Sequence, residues 1–485
     1  MDGAGDLESR RSEPEHLVAV SAEKQSNPAL RCLPTPPLTH QCALQPASGA
    51  AFRSTLVLLA VTASYALTIL VFYPGYSTID AHYVYADAKA WRFGDWQSPA
   101  MAVLWGLIDP IAPGALSMLL FTAMLYWIGF GTLALMAAGR SIWLGLLTVL
   151  VAFTPPAFVF LGVIWRDVLF GVVWLAAATL AFAVADRGAR LRLPVQAVAL
   201  ALIAFGVLLR PNALVAAPLI AAYALWPMRF EPRRAAMVFL PAAVLFFALV
   251  PLVYYGILDA RRQNPLHSIM VFDLGGITRF TGENQFPVSW SEHQTALLRR
   301  ECYDPARWDT YWHVEPCPFV MARLERPDDM IFGTPRLTEA WRHALAAHPL
   351  AYLRHRAAFM WQFLARSNLA LPVWDWLDPA SPYGHRPYFR PVLALHDLLQ
   401  PTLLFRPGLW LLLAGAVGAS AWRARSSASG AFAVGVTVSA IVYVASFFAF
   451  GVAADFRYAY WCVLATLAGA VAAVLAYCDR RAHVM

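Results

Sequence analysis

Long apolar runs alternate with short polar connections along most of this chain. Each run has about 20 residues, enough for a helix to cross a hydrocarbon core of about 30 Å. Because the runs are continuous rather than alternating, they predict an all-α, polytopic membrane protein and argue against a barrel. The ten predicted spans are residues 54–73, 114–136, 142–162, 168–185, 194–210, 212–228, 236–256, 403–422, 430–450 and 457–477.

Two stretches depart from this pattern. Residues 1–53 are polar and rich in Pro, Ser and Ala, and we expect them to form a disordered cytoplasmic tail. Residues 257–402 carry most of the charged side chains and are long enough for an extracytoplasmic domain of mixed structure. Residues 54–256 then form an N-terminal membrane module, and residues 403–485 supply the last helices and a short cytoplasmic tail.

Arginine placement predicts the orientation of the helices. With the N-terminus in the cytoplasm, five arginine-bearing connections all fall on the cytoplasmic side, as the positive-inside rule expects. They lie at Arg140, Arg187–Arg192, Arg229–Arg234, Arg423–Arg425 and Arg480–Arg481. The expected location is therefore the inner (plasma) membrane, with loop 74–113 and segment 257–402 on the extracytoplasmic face.

The composition agrees with a membrane protein. Hydrophobic residues make up 59% of the chain and charged residues 14%, against about 25% charged in typical soluble domains. The net charge of +7 comes largely from arginines in short loops, and no basic patch alternates with stacking aromatics. Nucleic acid is therefore not an expected partner.

Six cysteines divide between compartments. Cys302 and Cys317 lie in segment 257–402, where an oxidising environment would allow a disulfide; the alternative is two buried thiols. No CxxC or Cys/His spacing indicates zinc. The amphipathic stretch His348–Leu364 could rest on the membrane surface. Tryptophans of this segment could stack on sugars or simply lie at the interface.

Loop 74–113 is unusually dense in ionisable and aromatic side chains for a connection between spans. It contains Asp80, His82, Tyr83, Asp87, Lys89, Arg92, Asp95 and Trp96. Asp80, near the headgroup level, could be a general base whose pKa is tuned by burial and by His82. Alternatively, Asp80 or a neighbouring hydroxyl caps a helix over Ala81–Trp91. Asp95 lies in a Gly-Asp-Trp sequence, for which a role in a turn is at least as favoured as catalysis.

Several cations lie on the outer side against the positive-inside rule. They are Lys89, Arg92, Arg166, Arg210 and Arg457. Together they could hold a lipid phosphate, because guanidinium groups match phosphate oxygens in pairs; alternatively, each reaches headgroups or pairs with a carboxylate. Asp167, at the outer start of the fourth span, either benefits from the helix dipole or is a second acid that holds a metal or the acceptor.

These motifs resemble the GT-C superfamily of integral membrane glycosyltransferases, and in particular its protein mannosyltransferase and aminoarabinose transferase branch. The resemblance rests on Asp80-Ala81-His82-Tyr83-Val84-Tyr85-Ala86, on Gly94-Asp95-Trp96-Gln97-Ser98-Pro99, on Asp167, on Tyr73-Pro74-Gly75 and on Asp455-Phe456-Arg457-Tyr458. Ala81 stands where the family often has a second acid, which weakens a metal or two-carboxylate role at that position. The resemblance covers roughly residues 54–260 and 400–477 and does not extend to most of segment 257–402.

The resemblance implies a GT-C-like bundle and inverting transfer of a sugar from a polyprenyl-phosphate donor to a glycan, lipid or protein acceptor. Asp80 would deprotonate the acceptor, and Arg166, Arg210 and Arg457 would stabilise the departing phosphate. A divalent metal is the one cofactor that some branches use. Two other classes of membrane protein stay open as alternatives. A transporter or flippase of lipid-linked sugars would need ionisable residues deep within spans, and an accessory membrane subunit would leave the acid-rich loop unexplained.

Overall fold

Helices carry the fold of this protein in its computed structural model, which describes residues 47–185, 187–366, 371, 375, 377 and 386–484. In the N-terminal half the helices are α1 Ala47–Phe72, α2 Ile79–Ala90, α3 Pro99–Ile108, α4 Ala115–Ala138, α5 Ile142–Val151, α6 Pro155–Phe158, α7 Arg166–Ala183, α8 Ala189–Leu209, α9 Ala217–Leu225 and α10 Pro232–Pro251. In the remainder they are α11 Leu266–Thr281, α12 Glu292–Arg300, α13 Thr310–His313, α14 Phe319–Leu324, α15 Pro335–Ala347, α16 Pro349–Trp361, α17 Arg390–Leu399, α18 Pro407–Ala421, α19 Ala428–Phe450 and α20 Tyr460–Val484. Most of the tail predicted at residues 1–53 lies outside the described residues.

Among the described residues, seven helical stretches are long and apolar enough to cross a membrane, as expected of a multi-pass protein. They are Ala51–Phe72, Ala115–Ala138, Arg166–Ala183, Ala189–Leu209, Pro232–Ile257, Ala428–Phe450 and Phe456–Arg481. The other three predicted spans coincide with α5, α9 and α18, which have only 10, 9 and 15 residues. Prolines shorten two of these helices: Pro155 starts a new helix after α5, and Pro211 opens a 3-10 turn before α9. The count of ten spans stays a prediction.

Helix α7 lies at the centre of the bundle, and nearly all of its side chains are buried. Small residues on the neighbouring helices let their backbones approach α7 closely. A Cβ at Gly206 of α8 would lie 2.2 Å from the indole nitrogen of Trp174, and Trp174 packs edge-on against Trp461 of α20 at 5.5 Å. The middle of α7 is thereby packed closely between α8 and α20.

Contacts between loops divide the bundle into two ends. Arg140 pairs with Asp479 through two bonds of 3.0 and 2.9 Å, and the backbone NH of Phe230 donates to the carbonyl of Arg425 at 2.7 Å. These connections all belong to the arginine-bearing set, and we call this the arginine end. The first turn of α20 lies at the opposite end, which we call the site end.

The described part of segment 257–402 is helical and contains no β-strand, so the expected mixed structure is wrong for those residues. Among the described residues of this segment, β-type backbone pairing occurs only as isolated bridges of single residues, at Arg261, Asp304 and Arg307. A disulfide joins Cys302 and Cys317, whose Cα atoms are 5.4 Å apart. We call residues 302–317 the disulfide loop.

Two polar side chains of α16, within stretch His348–Leu364, are fully buried against α11, and contact of this stretch with a membrane surface stays a prediction. Arg356 pairs with Asp273 at 2.7 Å, and the Nε2 atom of His355 lies 3.3 Å from the same carboxylate. Arg356 also donates to the carbonyl of Gly451 at 2.6 Å. A buried charge requires such partners, and here they fix the turn that follows α19.

Candidate active site

The chain before α2 is fixed by short backbone pairings at the site end. Tyr76 donates to Gly162 at 3.1 Å and accepts from Ile164 at 3.0 Å. Thr78 occupies the N-cap position of α2 without a capping side-chain bond, and its hydroxyl instead accepts from the indole of Trp165 at 2.9 Å. Asp80 lies within the first turn, so the interpretation of Asp80 as the cap is wrong.

Asp80 is held by two donors from distant parts of the chain. Arg457 contacts one carboxylate oxygen at 3.1 Å, and the amide of Gln97 donates to the other at 3.1 Å. The side chain keeps 40% of its surface exposed. Burial acts to raise the pKa of Asp80, but the charges of Arg457 and Arg166 and the two hydrogen bonds outweigh it, so the pKa is lowered. Asp80 is therefore ionised at neutral pH.

Asp167 is buried in the first turn of α7 and forms an ion pair with Arg210 at 2.8 Å. Arg210 follows α8 directly, and its guanidinium also lies over the ring of Tyr458 at 4.8 Å. The exposed fractions of the Arg210 and Asp167 side chains are only 9% and 4%. Both groups are thus engaged with each other, which suits a structural role for Asp167 better than that of a free second acid.

Arg166 and Arg457 complete the arrangement. Arg457 packs over the ring of Trp165 at 4.8 Å and makes a second ion pair with Asp455 at 3.3 Å. Arg166 donates to the carbonyl of Trp96 at 3.2 Å, and no carboxylate in the described part of the chain lies within 4.0 Å of it. We call Asp80, Arg166, Asp167, Arg210 and Arg457 the central cluster. A small pocket with a cavity volume of about 10 Å³ lies against it, lined in part by Asp80, Gln97 and Arg166.

Four of the expected loop residues lie away from this cluster. Lys89, about 13 Å further along α2, pairs with Asp109 at 3.1 Å. Arg92 is exposed just beyond the end of the helix. His82 and Tyr83 are exposed, with ring centroids 6.0 Å apart. The expectation that Lys89 and Arg92 join the three arginines is therefore wrong, because the helix carries them away from Asp80.

Two further acids of the loop hold its backbone. Asp87 accepts from the backbone NH of Gly94 at 3.2 Å. Asp95 accepts from the Tyr255 hydroxyl at 2.7 Å and from the backbone NH of Gln263 at 2.6 Å. The structural interpretation of the Gly-Asp-Trp turn fits these bonds, since Asp95 ties the loop to the chain that follows α10.

Two acids near the cluster were not among the expected site residues. Asp455 was noted only as part of a motif, and Asp309 of the disulfide loop carries no signal in the sequence beyond two neighbouring tryptophans. Burial raises the pKa of Asp455, with the charges of Asp167 and Asp80 adding to it and Arg457 opposing. Asp309 keeps part of its surface exposed, but the protein packed around it desolvates the carboxylate and raises its pKa, with the charges of Asp455 and Asp80 adding to the shift. These effects place both acids in the electrostatic field of Asp80.

No group of three or more His, Cys, Asp or Glu side chains suited to a metal ion occurs within the described ranges. Comparisons of the chain with models of protein families, with curated proteins and with solved structures returned no match.

Proposed function

We propose that this protein is a membrane glycosyltransferase that moves a sugar from a polyprenyl-phosphate donor to an acceptor, with inversion at the anomeric carbon. The observation that carries the proposal is the ionised, partly exposed carboxylate of Asp80 beside the guanidinium of Arg166, which has no carboxylate within 4.0 Å among the described residues. Asp80 supplies the acceptor for a proton, and Arg166 supplies unused donors for a phosphate.

The reaction would proceed in one displacement. The acceptor hydroxyl or amine attacks the anomeric carbon as its proton passes to Asp80. The bond from that carbon to the phosphate oxygen breaks, and its electron pair leaves with the polyprenyl phosphate. Arg166 and Arg457 stabilise the charge that develops there, the kind of electrostatic term that lowers barriers most.

Donor binding would also prepare the base. The low pKa of Asp80 depends on the charges of Arg457 and Arg166. A phosphate that engages these guanidinium groups weakens their effect on Asp80, so burial then raises its pKa towards the working pH. A general base is most efficient when its pKa lies near that pH.

The position of the cluster suits a lipid-linked donor. It lies at the ends of apolar helices long enough to cross a membrane, next to a segment rich in charged residues. The polyprenyl tail can stay in the bilayer while the acceptor arrives from water.

The test is transfer of labelled sugar from a panel of polyprenyl-phosphate hexoses and pentoses in membranes. We expect Asp80→Asn to lose roughly 10²–10⁴-fold in rate at unchanged expression, because the amide cannot take the proton. Arg166→Gln should lower the rate and weaken donor binding. Asp479→Asn, the same change in an exposed ion pair at the arginine end, is the matched control. A wild-type rate in Asp80→Asn would show that Asp80 is not the base. If the wild type transfers sugar from none of the donors in the panel, that result contradicts the proposal.

A further inference from the structure

The disulfide loop is attached by its backbone to the chain that leads into the central cluster. The backbone NH of Trp308 donates to Val452 at 2.9 Å, and that of Ala454 donates to Ala306 at 2.7 Å. Asp455 follows Ala454 directly. The loop is therefore positioned next to the reacting groups by main-chain bonds and not only by contacts between flexible side chains.

Three tryptophans from two parts of the chain meet at this junction. Trp96 lies 5.9 Å from Trp308 and 5.6 Å from Trp312, and the last two rings are 5.4 Å apart. Trp308 is buried, whereas Trp96 and Trp312 are half-buried. The carbonyl of Trp96 accepts the hydrogen bond from Arg166. A partly exposed aromatic wall thus borders the position proposed for the phosphate.

Carboxylates accompany this wall. Asp309 lies between Trp308 and Trp312 in the chain and is exposed, and no described residue donates a hydrogen bond to its side chain. Asp455 keeps 31% of its side chain exposed. The charges of Asp455 and Asp80 act on the pKa of Asp309, and the charge of Asp80 acts on the pKa of Asp455, so all three lie within electrostatic reach. An ionised carboxylate can only accept hydrogen bonds, so a ligand here must bring donors.

A sugar ring has the matching chemistry. Its C–H faces pack on aromatic rings and its hydroxyl groups donate to carboxylates, whereas an anionic ligand would be repelled by Asp309 and Asp455. We propose that the disulfide loop is the acceptor subsite and takes a neutral or amino sugar, with Trp312 stacking on its ring and Asp309 accepting from a hydroxyl. This inference rests on the proposed glycosyl transfer and names the class of its acceptor.

The test compares acceptors and variants at a saturating donor concentration. The probes are octyl glycosides of neutral and amino sugars, a Ser/Thr-containing peptide and an acidic sugar glycoside. We expect wild-type transfer to the first group only. Trp312→Ala and Asp309→Asn should raise the acceptor KM by roughly tenfold or more, because they remove binding contacts rather than the base. Trp312→Tyr should restore most of the affinity.

Two matched controls and a separate readout keep the outcomes distinct. Trp361→Ala and Asp328→Asn change exposed residues of the same types elsewhere in the segment and should leave the acceptor KM unchanged. Binding of the labelled donor should be equal in wild type, Trp312→Ala and Asp309→Asn. An unchanged acceptor KM in both variants, or transfer to the peptide alone, would overturn this inference and leave the transferase standing. Absence of transfer to every probe and to endogenous membrane acceptors would count against the transferase itself.

Discussion

The acids of the site end differ in pKa because their surroundings differ. Asp80 has two guanidinium groups acting on it, and these outweigh burial. The pKa values of Asp455 and Asp309 are raised, first by desolvation from the protein packed around them and then by the negative charges of their neighbours. Neighbouring acids with opposite shifts are a common sign of separate chemical roles. Here the shifts favour Asp80 as the acid that is ionised before the donor arrives.

A pH profile tests this at the level of one side chain. In the free enzyme, kcat/KM requires ionised Asp80, so activity should fall only as the pH drops through its lowered pKa. Arg457→Gln removes the largest cationic effect, burial then raises that pKa, and the acid limb should move to higher pH. The measurement is kcat/KM against pH in detergent, with Arg140→Gln at the arginine end as the control. A limb that stays in place would show that Arg457 does not set the pKa of Asp80.

Single residues also show what the sequence can and cannot predict. The positive-inside rule singled out Arg166, Arg210 and Arg457 because each lies on the unexpected side. It could not separate them from Lys89 and Arg92, since only the direction of α2 carries those two away. Asp309 escaped notice because its proximity to Asp80 depends on how distant loops pair, which no local pattern encodes.

Helices α7 and α8 are joined at the site end by the buried pair of Asp167 and Arg210. Such a pair is weak evidence for stability as a whole, because removing two charges from water is expensive. Losing one partner is different, since the other is left buried and unpaired. The same bundle has an exposed pair of the same type, Arg140 with Asp479, at its other end.

The two pairs predict a clear contrast. Arg210→Ala should destabilise the protein by about 3–5 kcal/mol, whereas Arg140→Ala should cost about 0–1 kcal/mol. The measurement is the apparent melting temperature in detergent, and it also includes Asp167→Asn, Arg210→Gln and the combination of these two changes. The double change should cost less than the sum of the single ones. Equal shifts for Arg210→Ala and Arg140→Ala would contradict the buried character of the pair.

At the scale of the whole molecule, the sequence predicted the helical class, seven of the long apolar helices and the grouping of the arginine-bearing connections. This was possible because the thickness of the bilayer sets the length of an apolar helix, and the positive-inside rule sets the side on which arginine-bearing connections lie. The limits appear where helices are short or interrupted, as at Pro155 and Pro211. They also appear in segment 257–402, whose helices are specified by buried pairs such as Asp273 with Arg356 rather than by a periodic pattern.

The two ends of the bundle should lie on opposite sides of the membrane. In a background with the free cysteines replaced by serine, His82→Cys should react with a membrane-impermeant maleimide in intact cells. Arg190→Cys should react only after permeabilisation. Both positions are exposed in the structure, so access to the thiol is not limited by packing. Labelling of both from the same side would contradict the predicted orientation.

The bond between Asp80 and Arg457 also has a consequence for biosynthesis. The two residues are separated by 377 positions in the chain. At about 5–20 residues per second, roughly 20–75 s pass between their emergence from the ribosome. During that interval the nascent chain contains Asp80 but not yet Arg457, its ion-pair partner. The site is therefore complete only after the turn that bears Arg457 has been made.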